Sequence, residues 1–343
     1  IRPLMAWRFP EEWPMTENRM MQRRKGTPRS WVPRYLRLPL IVASIAWSLT
    51  GFNEASATPP KQHFDSKKTG LRVTVRDGGW GGAKLESIET VLYSVADELL
   101  SRLPKNLAVP VIVAHTNSNP VALYERGPQG EYWVHLHASG EDWHLYAYEF
   151  AHELCHILSN YDENVGPGST RYNQWFEEAL CETASLFVLK SLAKTWEISP
   201  PEPKWSYEAK KLQRFFVHLI SEGHRQLPTG TPLANWLQDR EEQLRIEPYQ
   251  RTENEVVANL LLPLFEENPQ NWEALSYLNL DPSDAQARLG DYLHHWYENA
   301  PVHHKQFVAG ILSMFGLEDA LTTASSVVAD RTTIALTSNF GQR

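Results

Sequence analysis

Apolar positions repeat with two different periods along this chain. Short alternating runs between residues 71 and 138 predict strands, because successive side chains of a strand point to opposite faces. One segment in that part, 85–103, and most of the chain after residue 143 have apolar residues at helical spacing. The predicted strands are 71–75, 109–114, 121–125 and 131–138. The other predicted helices are 144–158, 174–193, 206–222, 233–245, 254–267, 283–298 and 302–315.

This order of elements predicts an α+β fold, in which a small mixed sheet is followed by a mostly helical C-terminal lobe. We expect an α/β subdomain over residues 58–165, which ends in the helix 144–158. A helical subdomain would then cover residues 166–343. Asp142 precedes the helix 144–158, where its short polar side chain is typical of an N-cap.

The first 57 residues have the pattern of an export signal. They hold nine Lys or Arg and four acidic residues, and the basic part is followed by an uncharged run of fifteen residues, 38–52. A small-x-small cleavage pattern follows at Ala55-Ser56-Ala57. Because the apolar run is short for a membrane span, we expect a cleaved signal peptide and an exported protein. An uncleaved N-terminal anchor is the alternative, and the start at Ile1 leads us to expect that residues 1–19 are untranslated.

Net charge and cysteine content limit the partners and the disulfide bonds that we expect. The formal net charge is −8, so residues 58–343 carry −13 once the leader is removed. An acidic surface repels a phosphate backbone, and we therefore expect no nucleic-acid partner. The two cysteines, Cys155 and Cys181, are too few for a disulfide framework. We expect both to be small buried core residues, with one disulfide between their helices as the alternative.

Residues 152–156 read His-Glu-Leu-Cys-His and carry the main chemical signal. On a helix, positions i and i+4 share one face, so His152 and His156 can offer two imidazole nitrogens to one metal. Glu153 flanks that face and can reach a metal-activated water without being a ligand. The pattern predicts a zinc site with a general base beside it.

A catalytic zinc needs a third protein ligand and one open position. Glu178, in the helix 174–193, can supply that ligand, and Glu182 lies one turn further along the same face. There Glu182 could accept a hydrogen bond from the outer nitrogen of a ligating histidine. The alternative is that both carboxylates lie on a solvated helix face.

His-Glu-Leu-Cys-His followed by Trp-Phe-Glu-Glu-Ala-Leu-Cys-Glu at 175–182 resembles the gluzincin metallopeptidases, the thermolysin-like and aminopeptidase-like enzymes. This resemblance implies a zincin-like fold and one zinc ion. It also implies that His152, His156 and Glu178 are the metal ligands, Glu153 the general base and Glu182 the orienting acid. The spacing from His156 to Glu178 is longer than in those families. A separate family is therefore indicated, and Glu177 and Glu182 stay open as alternative ligands.

Two further features of the resemblance concern the substrate. Such enzymes hold the developing oxyanion with a downstream Tyr or His, and Tyr249 is our first candidate for it. The other candidates are Tyr207, His218 and His224. The strand 131–138 resembles the edge strand on which these enzymes lay an extended peptide.

These observations lead to one functional hypothesis with one alternative. We expect a zinc-dependent peptidase that acts on peptide or protein substrates. The alternative is a non-catalytic binding module of the cell envelope with a structural or vestigial metal site. We interpret the pairs His294-His295 and His303-His304 as surface histidines, because adjacent residues on a helix do not face each other.

Overall fold

A four-stranded sheet and a larger set of helices make up the part of the chain that the structure describes. The computed structural model describes residues 70–103, 107, 110–163 and 171–318. The export signal predicted within residues 1–57 and the subdomain boundary predicted at 165/166 lie outside these ranges and stay predictions. No helix within the described ranges is long and apolar enough to cross a membrane.

The sheet has the spatial order β1-β2-β4-β3, with β3 antiparallel to β4 and the other pairs parallel. Its buried positions alternate along the strands, as Val111 and Val113 do, because one set of side chains packs on the helices. The bounds are β1 Val73–Val75, β2 Val111–His115, β3 Val121–Ala122 and β4 Tyr132–Leu136.

Helix α1, Leu85–Leu100, connects β1 to β2. Parallel strands need such a crossover, because a hairpin cannot bring two strands side by side in the same direction. The apolar residues of α1 are buried at helical spacing, among them Ile88, Leu92 and Leu99. The sequence pattern of this segment predicted the helix, and the structure confirms it.

The prediction that 131–138 is an edge strand is wrong. β4 has β2 on one side and β3 on the other, so its backbone groups are already paired on both sides. The edge next to α2 is instead the two-residue strand β3, within the longer run 121–125 that the sequence predicted.

Eight further helices follow the sheet in the described chain. Their bounds are α2 Trp143–Leu158, α3 Gln174–Ile198, α4 Ser206–Ile220, α5 Leu233–Gln238, α6 Glu241–Ile246, α7 Arg251–Glu267, α8 Leu289–Asn299 and α9 Val302–Met314. Short 3₁₀ segments lie at Pro203–Trp205, Gly223–Arg225, Pro269–Tyr277 and Asp284–Gln286. The mixed α+β class expected from the sequence is therefore present.

Three local predictions need correction. The single helix predicted at 233–245 breaks into α5 and α6, because Arg240 N bonds the carbonyl of Leu237 and tightens the chain into a turn. The helix predicted from residue 283 begins only at Leu289, after extended backbone at Arg288. Asp142 lies at the N-cap of α2, but its side chain makes no capping hydrogen bond.

Helix α3 is the centre of the packing. Every residue from Gln174 to Leu189 is buried, and α3 contacts α2, α4 and α7. A helix that is buried all round has no solvated face. The alternative that Glu178 and Glu182 point to solvent is therefore excluded, and each needs a partner in the interior.

Candidate metal centre

Helix α2 brings His152, Glu153 and His156 into the interior, and each is about 3% exposed. The i, i+4 spacing places the two imidazoles together, with ring centroids 5.0 Å apart. Phe150, Leu154 and Ile157 are buried on the remaining sides of the helix and fix its position. The sequence prediction that the two histidines share a face is confirmed.

Glu178 lies opposite both imidazoles. Its Oε2 is 3.2 Å from His152 Nε2, and its Oε1 is 3.5 Å from His156 Nε2. Donor atoms at 2.0–2.1 Å from one zinc in a tetrahedron are separated by about 3.3–3.4 Å. Both measured separations are close to this value, although each imidazole meets a different oxygen, so Glu178 is spaced from each histidine as two donors of one zinc site are.

Glu177, the residue next to Glu178, orients His156 from behind. Its Oε1 is 2.7 Å from His156 Nδ1, while its Oε2 accepts hydrogen bonds from Arg171 and Asn279 at 2.9 Å each. Burial alone would raise the pKa of Glu177, but Arg171 and His156 lower it below its ordinary value. Since Glu177 is an ionised carboxylate with these bonds on both oxygens, it fits an orienting role and not that of a ligand.

The prediction that Glu182 contacts a ligating histidine is not supported by its observed contacts. Glu182 accepts hydrogen bonds from Tyr148 Oη at 2.5 Å and from Arg225 Nη1 at 2.7 Å. One helical turn advances the chain by about 5.4 Å, which carries Glu182 beyond Glu178. Arg225 is fully buried and also pairs with Glu255, so Glu182 belongs to a structural ion-pair network.

Glu153 reaches the edge of the sheet. Its Oε2 accepts a hydrogen bond of 2.6 Å from the backbone N–H of Ala122 on β3. The next residue, Leu123, donates its N–H to Trp133 beside β4. Because N–H groups alternate in direction along a strand, the Ala122 N–H points away from β4. Glu153 therefore lies along the outer side of β3.

The charges around the site favour a positive charge between the carboxylates. Burial lowers the pKa of His152 to about 4, although Glu178 acts in the opposite direction. Burial would also lower the pKa of His156, but Glu178 and Glu177 raise it to about 10. Burial raises the pKa of Glu153 to about 7. A proton on His156 or a bound cation would balance these acids.

Glu149 was missed by the sequence reasoning. It lies one turn before Glu153 and accepts hydrogen bonds on Oε2 from the N–H groups of His137 and Ala138, at 2.8 and 2.9 Å. These bonds attach the end of β4 to α2. Burial raises the pKa of Glu149 to about 8, against the effect of the two N–H donors.

Tyr249 lies within the electrostatic field of the metal centre. Burial raises the pKa of its phenol well above the ordinary value, and Glu178 raises it further. Tyr124, which the sequence did not single out, has its pKa raised by burial, Glu177 and Glu178. Both phenols therefore keep their protons and can donate hydrogen bonds.

The other candidates for the oxyanion donor lie in positions that fit this role less well. Tyr207 is exposed and lies beside Lys211. His218 is exposed on α4, where its Nε2 is 3.7 Å from Glu222. His224 Nε2 is 2.5 Å from Glu255 and is part of the structural network. The structure thus leaves Tyr249 as the sequence-predicted candidate whose pKa the acids of the site raise.

The two cysteines are free and buried. The Sγ of Cys181 and one ring nitrogen each of His152 and His156 lie within 4.8 Å of one another, so the thiol is a further donor beside the site. Burial and the neighbouring Cys155 hold the pKa of Cys181 well above its ordinary value. A protonated thiol is a poor ligand, and Glu178 is the better third donor.

Comparison with known proteins gives no relative. No protein-family profile, no curated protein and no solved structure matches this chain. The resemblance to gluzincins therefore rests on the motif and on the geometry described above.

Replacing each of the two candidate orienting acids by glutamine tests which of them supports zinc binding at the candidate metal centre. We expect Glu177→Gln to weaken zinc binding by about 10–100-fold, because His156 loses its charged partner. We expect Glu182→Gln to leave zinc affinity near that of the wild type and to lower the free energy of unfolding instead. Competitive zinc titration and urea unfolding of both variants measure these effects. A larger loss of zinc affinity in Glu182→Gln would contradict the assignment.

The pKa of Glu149 predicts a pH-dependent stability. Its pKa rises from an ordinary value of 4.5 to about 8 on folding, so the folded state binds more protons between these pH values. The stabilisation is therefore fully present below pH 4.5 and is lost as the pH rises through 8. Glu149→Gln keeps an acceptor for His137 and Ala138 without the charge.

We expect the stability of Glu149→Gln relative to wild type to increase by at least about 1 kcal/mol between pH 5 and pH 8.5, since one pKa unit corresponds to 1.36 kcal/mol. Urea unfolding of both proteins at the two pH values, with chelator present, measures this difference. An equal pH dependence in both proteins would show that Glu149 is not the responsible group.

Proposed function

We propose that this protein is a gluzincin-type peptidase with a single catalytic zinc held by His152, His156 and Glu178. The observation that carries the proposal is the pair of N···O separations, 3.2 and 3.5 Å, between the Nε2 atoms of the two imidazoles and the oxygens of one carboxylate. The carboxylate of Glu177, 2.7 Å from His156 Nδ1, also supports the proposal, because ligating histidines usually donate their outer N–H to such a group. Zinc at this position would polarise a peptide carbonyl and lower the pKa of a water molecule.

A zincin-like arrangement of the elements is part of this proposal. A mixed sheet with an antiparallel edge strand precedes the helix that carries His152 and His156, and the next helix carries the third acid. A peptide could add to the outer side of β3 as a further strand. This role was assigned to the strand 131–138 from the sequence, and the pairing of β4 on both sides moves it to β3.

In this proposal Glu153 is the general base. Oε2 is held by the Ala122 N–H, and Oε1 would take a proton from a water and pass it to the leaving amine. The contact with Ala122 also places the carboxylate at the strand edge where the peptide would lie. In a non-catalytic binding module the same acid would serve only to hold the Ala122 N–H.

Tyr249 would donate a hydrogen bond to the oxyanion that develops on the peptide carbonyl. Its raised pKa keeps the phenol protonated, which that role requires. Export of the enzyme is proposed from residues 1–57 alone, on their basic stretch, apolar run and Ala-Ser-Ala pattern.

Substitution of the general base tests the peptidase hypothesis directly. We expect Glu153→Gln to keep the zinc bound at His152, His156 and Glu178 but to lose at least about 100-fold in cleavage of an unstructured peptide pool. Glu141→Gln, which changes an exposed glutamate just before α2, is the matched control and should cleave like the wild type. Equal turnover in Glu153→Gln and Glu141→Gln would end the peptidase hypothesis.

The phenol of Tyr249 has a separate test. We expect Tyr249→Phe to lower kcat by about 100-fold with little change in KM, because an oxyanion donor contributes about 3 kcal/mol in the transition state. Tyr207→Phe removes an exposed phenol and should leave both constants unchanged. A change confined to KM would assign Tyr249 to substrate binding.

A further inference from the structure

A second group of potential metal ligands lies at the start of α9, away from the His-Glu-Leu-Cys-His motif in the sequence. Glu273 belongs to the 3₁₀ segment Pro269–Tyr277, while His303 and His304 lie in the first turn of α9. One ligand atom from each residue lies within 4.8 Å of those from the other two. Their adjacent positions in the sequence predicted surface residues that do not face each other.

The structure corrects this interpretation for His304, which is only 2% exposed. The two imidazole rings are 4.2 Å apart between centroids and converge on the carboxylate of Glu273. His303 Nε2 is 3.5 Å from Oε1 of that carboxylate, and His304 Nε2 is 3.3 Å from Oε2. Two adjacent histidines of one helix can therefore both approach a carboxylate that comes from another segment.

The buried ring nitrogen of His304 faces the carboxylate of Glu273 at a distance that suits two ligands of one cation. Within the described residues, His304 Nε2 has no hydrogen-bond partner, because its approach to Glu273 lacks the alignment of a hydrogen bond. His304 Nε2 and the Glu273 carboxylate oxygen face each other at 3.3 Å, and a cation bound between them would take an electron pair from each.

We propose that Glu273, His303 and His304 form a second zinc site, which ties α9 to the segment Pro269–Tyr277. Two imidazole nitrogens and one carboxylate oxygen are ligands that zinc prefers. The separations of 3.3 and 3.5 Å are close to the edge of about 3.3–3.4 Å between donors of a zinc tetrahedron. His303 has a side chain that is 63% exposed, so water can supply the fourth ligand.

Two other clusters of histidine and acid in the described chain have partners of their own. Around His224, both Glu222 and Glu255 pair with Arg225. Around His295, Asp284 bonds the imidazole and Asp281 accepts from Ser283. Their ligand atoms are already used in hydrogen bonds and ion pairs, which distinguishes them from the buried Nε2 of His304.

Counting zinc equivalents tests the proposal independently of peptidase activity. The full chain is stripped with a chelator and titrated with Zn²⁺ in competition with a chromophoric chelator. His303→Ala removes an exposed ligand, and His218→Ala is the matched control with a side chain that is 53% exposed and also near a glutamate. We expect two equivalents in the wild type and in His218→Ala, whereas His303→Ala should bind its second equivalent at least about 10-fold more weakly.

A thermal measurement separates this site from the one in α2 and α3. In His156→Ala, which disables the first site, Zn²⁺ should still raise Tm, because binding to the folded state alone stabilises it. The shift should vanish in the double variant with His303→Ala. If His303→Ala and His218→Ala bind zinc with the same stoichiometry and affinity, the second site does not exist. Glu273 would then merely face the positive N-terminal end of α9.

Discussion

The contact between α2 and α3 is the constraint on which the rest of the structure depends. Both helices are buried, yet their shared face carries imidazoles and carboxylates. A charged group without a partner in the interior is strongly destabilising. Each buried acid of α3 therefore has its own set of partners, and these partners fix the position of the surrounding segments.

The partners divide the three buried acids of α3 between two tasks. Glu177 and Glu178 face the imidazoles, and Glu177 is also held by Arg171 before the helix and by Asn279 far along the chain. Glu182 faces away, toward Arg225 and Tyr148. The metal centre is thus supported on one side by a neutral amide and a cation, and on the other by a buried ion-pair network that holds α7 against α3.

The sequence was sufficient to predict the shared face of His152 and His156, because i, i+4 spacing has a direct geometric meaning on a helix. It predicted Glu182 as the orienting acid, whereas in the structure Glu177 contacts His156 and Glu182 contacts Tyr148 and Arg225. A helix that is buried all round has no amphipathic pattern, so the direction of each side chain cannot be inferred from periodicity. The role of Glu149 was missed as well, since its partners are the backbone N–H groups of His137 and Ala138, which no side-chain pattern marks.

The sequence pattern also could not identify the edge strand of the sheet. β4 has a clear alternation, whereas β3 has two residues and almost no pattern, but strand order follows from pairing and not from the strength of the pattern. The adjacent histidines of α9 show a related limit. The rule for neighbouring residues on one helix does not include a ligand atom that comes from another segment.

The hydrogen bond between Glu153 and Ala122 has a consequence for self-association. Open sheet edges invite pairing between copies of a chain, and natural proteins protect them with short strands or charged side chains. β3 has both protections, since within this strand the N–H that points outward is taken by a carboxylate from its own chain. A further strand, whether from a second copy of the chain or from a substrate peptide, could bond this N–H only by displacing that carboxylate, so the contact disfavours chance pairing at this edge.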